Sequence, residues 1–320
     1  MAWPHQFARA AWRYIRRQNK MAIELRILGR HQADEHNTGF TYNGVEFSQN
    51  NLNTFTGLNA VDTREYVEQT FACLRDHGQV CARMGAYKPR SSPYSFQGMG
   101  KECLPWVFEL AGKYGIKVIS MEVTRESHID EINEAMRLSG NATGAMLQIG
   151  TRNTQNFELL KAVGRQHEYP ILLKRGFGIT LDESLMAAEY CASEGNTKIV
   201  FGLRGMKTNF GDPHRNLVDF GHVPVVHRLT RMPVCVDPSH SVGARGASPE
   251  GILDIFHVAA QGVIAGANML LVDMHPVPKK SLVDAAQAIT LEELPYFLED
   301  VAIAREAYEK RLALAKRVGL

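Results

Sequence analysis

The stretch PILLKRGFGITLDESLMAAEYCASEGNTKIVFGLRG, residues 170–205, decides the fold. It begins with a short apolar run from Pro170 and returns to another, KIVFGLRG, from Lys198. Between them lies TLDESLMAAEYCASEG. Thr180 stands there with Glu183 three residues on, the capping-box pattern that opens a helix. Strand, helix, strand is the unit of a parallel sheet.

The same alternation extends in both directions. Further apolar runs are NLNTFTGLN from Asn51, VCARMGAY from Val80, KVISMEV from Lys117, AMLQIG from Ala145, PVCVDPS from Pro233 and NMLLVDMH from Asn268. The intervening segments carry helical periodicity. REYVEQTFACLRDHG puts Tyr66, Thr70, Cys73 and Leu74 on one face, and KECLPWVFELAGKYG does so with Leu104, Val107, Phe108 and Leu110. Gly78, Gly115 and Gly266 mark helix ends. Eight such units over about 270 residues predict a (β/α)8 barrel. An open doubly wound sheet has the same alternation, but its GxGxxG fingerprint is missing from the first unit.

Upstream, residues 22–50 (IELRILG, then GFTYNGVEFSQ) read as short strands with a turn at Asn43-Gly44, placed to plug the barrel floor. The expected division is an N-terminal arm over 1–40 and a catalytic barrel over 41–320. The terminal segment ELPYFLEDVAIAREAYEKRLALAKRVG reads as a long helix with Phe297, Val301, Ala304, Tyr308, Leu312 and Ala315 on its packing face.

Composition excludes several classes. The 320 residues are 45% hydrophobic and 22% charged with net charge +2, enough to build a core and too neutral for a general nucleic-acid or membrane-surface binder. The five cysteines include no CxxC pair, which argues against a disulfide framework or structural zinc and for a reducing cytoplasm. No apolar run is long enough to span a membrane. The start, MAWPHQFARAAWRYIRRQNK, is basic and partly amphipathic but lacks a secretory apolar core. It reads as an arm suited to oligomer contacts.

Chemistry concentrates where barrel strands end, the face on which such enzymes carry their sites. Arg83, Lys88, Arg90 and Ser91 follow the second run and Arg152 the fourth. Lys174 and Arg175 end the fifth, and Arg204 the sixth. Asp237 and His240 lie in DPSH after the seventh, and Asp273 and His275 in DMHP after the eighth, with Asp284 beyond. Any one cation alone reads as a solvated surface charge. Cations from four strand ends meeting at one mouth require anionic ligands to offset their repulsion, and arginine forks suit phosphate and carboxylate.

RMGAYKPRSSPYSFQG, LQIGTRNTQNF, ILLKRGF, CVDPSHSVG and VDMHPVPKKSLVD, in this order, resemble the motifs of class I 3-deoxy-D-arabino-heptulosonate 7-phosphate (DAHP) synthases of the β subtype, from about Val45 to Ile289. The resemblance implies condensation of phosphoenolpyruvate with erythrose 4-phosphate in the shikimate route to aromatic amino acids, by a homodimer or homotetramer. By the same resemblance Arg83, Lys88, Arg152, Lys174 and Arg204 would hold phosphoenolpyruvate. Arg90, Ser91 and Asp237 would serve the aldose phosphate, and Lys88, Lys174, His240 and Asn59 would carry catalysis. No separate regulatory domain is expected.

The chain departs from the family at the metal. The usual Cys falls on Asn59 and the usual Glu on Asp273, while His240 and Asp284 remain. A neutral amide is a poor ligand where thiolate is a strong one, so a divalent ion such as manganese is expected to be weakly bound and dispensable. Asn59 and the segment TNFGDPHRNLV are similar instead to metal-independent 3-deoxy-D-manno-octulosonate 8-phosphate synthases, which makes another aldose phosphate, arabinose 5-phosphate or a sugar of specialised metabolism, the alternative. A barrel that has lost catalysis and only binds is a third reading. Retention of the costly cation cluster opposes it.

Overall fold

The computed structural model describes residues 24–30 and 39–319. The predicted arm therefore lies largely outside the described residues. A hairpin of β1 (Phe40–Tyr42) and β2 (Val45–Phe47) comes first, then β3 (Asn53–Leu58), α1 (Arg64–Asp76), β4 (Cys81–Met84), α2 (Leu104–Lys113), β5 (Val118–Val123), α3 (Ser127–Ser139), β6 (Gly144–Ile149) and α4 (Phe157–Arg165). These are followed by β7 (Ile171–Lys174), α5 (Leu181–Ser193), β8 (Ile199–Leu203), α6 (Val223–Leu229), β9 (Val234–Val236), α7 (Pro238–Val242), α8 (Asp254–Ile264), β10 (Met269–Asp273) and α9 (Leu294–Val318). Strands β3 to β10 pair in parallel and in order, and β10 closes on β3 with Asp273 opposite Gly57. The expected eight-stranded barrel is the fold.

Alternation along each strand divides the core in two. One set of strand residues faces the helices and packs with their apolar stripes. The other set faces the axis: Phe55, Cys81, Val118, Met146, Leu172, Val200, Cys235, Met269 and Leu271 form one apolar layer inside the barrel. Val45 and Phe47 of the hairpin join that layer from below, and the Phe47 ring lies 6.1 Å from Phe55. The hairpin is thus the floor that the sequence led us to expect. Its turn needs the left-handed region at both central residues, and Asn43 (φ 48) and Gly44 (φ 75) supply it.

Three local expectations are corrected. IELRILG forms no strand over its described part. The backbone N–H groups of Arg26, Ile27 and Leu28 donate to the buried Glu189 carboxylate at 2.7, 2.6 and 3.1 Å, so a side chain replaces a neighbouring strand as acceptor. The buried face of α1 is Val67, Thr70, Phe71 and Leu74, with Tyr66 and Cys73 at its flank. In α9 the fully buried face ends at Ala304; Tyr308 still packs beside Gly266 and Ala315 is half-buried, but Leu312 is 40% exposed. Among the described residues no helix is long and apolar enough to cross a membrane.

Candidate active site

The site is the same alternation carried upward. Two residues beyond the apolar layer, the axis-facing positions become Arg83, Ser120, Gln148, Lys174, Asp237 and Asp273, and two further on Asn59, Glu122 and Arg204. Six of the eight strands change from apolar to polar at the same height, while β3 and β8 carry Gly57 and Gly202 there. A barrel with a dry floor and a charged mouth results. Gly202 makes room for this change, since a Cβ there would stand 3.2 Å from the Lys174 stem.

Asn59 is the hub. Its side-chain oxygen accepts from Arg83 Nη2 at 2.8 Å and Lys88 Nζ at 2.5 Å, and its amide nitrogen donates to Asp284 Oδ2 at 2.8 Å. Arg83 also binds Asp273, whose second oxygen accepts from Gln287 Nε2 at 2.6 Å. Burial pushes the Lys88 amine down to about 8 against the pull of Glu122, Asp273 and Asp284, with Arg83 adding to the fall.

A second set centres on Asp237, which is fully buried. It accepts from Lys174 Nζ at 2.5 Å and from the His240 backbone N–H at 3.0 Å, with His240 Nδ1 also at 3.0 Å. Burial alone would raise this carboxyl, but His240, Lys174 and Arg83 hold it well below the usual carboxylate range. An ionised carboxylate only accepts, so the His240 proton sits on Nδ1 and Nε2 keeps a free lone pair. Burial pushes the imidazole down to about 4 against Asp237 and Asp273, leaving it neutral at pH 7. Asp284, 3.8 Å from His240 Nε2, joins the two sets. Burial would raise its carboxyl, yet His240, Lys88, Arg215 and the Asn59 amide bring it to about 2. With His240 neutral, Lys88 and Arg215 are the charges that act on it at pH 7.

The outer rim holds the rest. Arg204 is 3% exposed, yet its Nε and Nη1 have no hydrogen-bond partner among the described residues, and neither does Arg90 Nη1. Burial pushes the Arg204 guanidinium down to about 10 against Asp237 and Asp219, with Arg215 and Arg152 assisting. Arg152 is exposed and donates to Ser91 Oγ at 3.2 Å. Arg175, one residue out of phase with Lys174, turns away from the mouth; its Nη1 lies 3.0 Å from Asp219 and 2.9 Å from His222 Nδ1. His275 is structural: its Nε2 donates to buried Asp62 at 2.8 Å while its Nδ1 accepts from the Val277 N–H. Sequence reading missed Gln287 and Arg215, because both come from irregular loops with no periodicity to announce them.

The donors that a divalent ion would use are mostly engaged in this arrangement. Both Asp273 oxygens and the Asn59 oxygen are engaged, and the cations Arg83 and Lys88 point at the latter. Only His240 Nε2 and part of Asp284 remain, and no group of three or more His, Cys, Asp or Glu is arranged as a metal cage among the described residues.

Fold and site define an enzyme class: a (β/α)8 barrel whose strand tips gather buried cations around small anionic substrates. Residues 43–309 match the DAHP synthetase I family, and the chain belongs to it. Phospho-2-dehydro-3-deoxyheptonate aldolase of Thermotoga maritima is 37% identical over 248 residues, 78% of this chain and 68% of the relative. The crystal structure of that DAHP synthase superposes with a TM-score of 0.75 at 32% identity, covering 92% of this chain and 78% of the other. A truncated form gives 0.71 at 30% identity, covering 92% of this chain and 97% of its own. 2-Dehydro-3-deoxyphosphooctonate aldolase of Syntrophobacter fumaroxidans is 28% identical over 249 residues, 74% of this chain and 81% of the relative. The chain is thus a transferase of the phosphoenolpyruvate-dependent aldol type.

Proposed function

We propose that the enzyme condenses phosphoenolpyruvate with erythrose 4-phosphate, without a metal ion, to give a seven-carbon 3-deoxy-2-ulosonate phosphate and inorganic phosphate. One observation carries the reading: a buried guanidinium, Arg204, two of whose nitrogens have no hydrogen-bond partner among the described residues, with Arg152 over the same Phe177 ring. Leaving such donors unsatisfied is costly, and an anion removes the cost.

In this reading Arg83, Lys88, Arg152, Lys174 and Arg204 hold the phosphate and carboxylate of phosphoenolpyruvate. Asp237 orients Lys174 and His240 from below. Arg90 and Ser91 take the aldose phosphate. Holding two mutually repelling anions together lowers the entropic part of the barrier. C3 of phosphoenolpyruvate attacks the aldehyde carbon, and the aldehyde oxygen takes a proton, with Lys88 as the donor in this reading. Water adds to the cationic C2 and releases one proton. The resulting tetrahedral centre expels phosphate, whose charge the arginines stabilise.

Asn59 supports metal independence, since the family resemblance sets its amide against a metal-binding thiolate and the side chain ties Arg83, Lys88 and Asp284 together. The same residue, with the octulosonate-type relative, favours arabinose 5-phosphate as the second reading. Phosphate release from phosphoenolpyruvate, measured with each aldose phosphate in turn and with chelator present, tests both. Erythrose 4-phosphate is expected to give the highest kcat/KM. A preference for the five-carbon sugar would reverse the order of the two readings, and activity restored only by manganese would overturn metal independence.

A further inference from the structure

The loop after β7 carries an aromatic side chain that the chemistry above does not use. Phe177 stands half-buried at the mouth. The Arg204 Cζ lies 4.7 Å from its ring centroid and the Arg152 Cζ 5.6 Å. We propose that Phe177 is a positioning residue: its ring gathers the guanidinium groups of Arg152 and Arg204 into one anion clamp before substrate arrives. The inference rests on the reading of these arginines as phosphoenolpyruvate ligands.

Two like charges brought to one rim repel, and two of the Arg204 nitrogens have no acceptor among the described residues. The negative face of an aromatic ring attracts both cations without competing for the donors that the substrate needs. A carboxylate in that place would also neutralise them, but it would occupy those donors and repel the ligand. An aliphatic side chain would fill the space without the quadrupole.

The loop is built to hold the ring still. Arg175, one side of Phe177, is anchored on Asp219, and the Lys174 carbonyl accepts from Thr154 Oγ1 at 2.8 Å. Gly176 lets the chain pass close to its neighbours, since a Cβ there would stand 2.5 Å from the Ile179 side chain. On the other side Gly178 takes φ 64, and the Thr180 capping box fixes the start of α5 immediately after.

The test compares Phe177→Leu with Phe177→Tyr and Phe177→Trp by steady-state kinetics in both substrates and by calorimetric titration of phosphoenolpyruvate. Phe177→Leu is expected to raise the KM and Kd for phosphoenolpyruvate about 3- to 10-fold, the size of a partly desolvated cation–π contact. The aldose KM and kcat should stay within about twofold, and both aromatic variants should keep wild-type affinity. If Phe177→Leu does not fold, Phe177→Met replaces it in the same comparison. Wild-type KM and Kd in the aliphatic variant, or a loss that the aromatic variants share, would overturn the proposal. Failure of the wild-type enzyme to bind phosphoenolpyruvate would instead sink the underlying reading.

Discussion

At the scale of single residues, the site is a set of cations whose partners fix their direction. Lys174 is the plainest case, held by the buried Asp237 at 2.5 Å. Lys174→Ala should lower kcat/KM by about 100-fold or more with every aldose tried, the usual size of losing one preorganised electrostatic group. Near-wild-type kinetics would remove it from the site. Lys88 sets a pH limit. With its amine at about 8, the charged form that binds anions and donates a proton is lost as pH rises through that value, so kcat/KM should fall there. Lys88→Arg, which stays charged, should abolish that alkaline limb, and a flat wild-type profile to pH 9.5 would contradict the assignment. Asn59→Cys should make the enzyme responsive to added manganese by supplying a thiolate where an amide stands. An unchanged metal response would count against the equivalence of Asn59 with the family's cysteine. These positions were legible in the sequence because each lies at a strand end or in the motif that directly follows one. Gln287, Arg215 and the role of Phe177 were not, since loop conformation alone brings them to the mouth.

At the scale of elements, strands and helices could be read because two periodicities coincide with clear punctuation. Thr180 accepts from Glu183 N as the capping box required, and the Asn43-Gly44 turn sits where two positive φ values were needed. The errors arose where tertiary contacts override pattern. Residues 24–30 have strand-like alternation, but Glu189 supplies the acceptors, and the long α9 keeps an apolar repeat beyond Ala304, its last fully buried residue. The β1–β2 hairpin should contribute measurably as a floor. Phe47 is 2% exposed against the apolar layer. Phe47→Ala should therefore cost about 3–5 kcal/mol of stability. A denaturation midpoint unchanged from wild type would show that the floor is not part of the cooperative unit.

For the whole molecule, the fold imposes a division of labour along one axis. The lower interior is apolar and holds the barrel together, while the upper interior concentrates charged side chains. Acid should expose this arrangement. Burial holds His128, His227 and His240 at about 4, below the ordinary 6.5. The unfolded chain takes up protons first, so their stability contribution is complete above about pH 6.5 and is lost as pH falls toward 4. Asp284, depressed to about 2 from 3.8, adds a loss at still lower pH. Chemical denaturation should therefore give a lower midpoint at pH 5 than at pH 7, and equal midpoints would contradict the buried neutral histidines. The most direct measurement of the central claim is calorimetric titration of phosphoenolpyruvate into chelator-treated protein, wild type against Arg204→Met. One molecule should bind per barrel, with affinity falling about tenfold or more in the variant, as expected for a lost charge-assisted contact. No binding to the wild type, or equal binding to both, would contradict it.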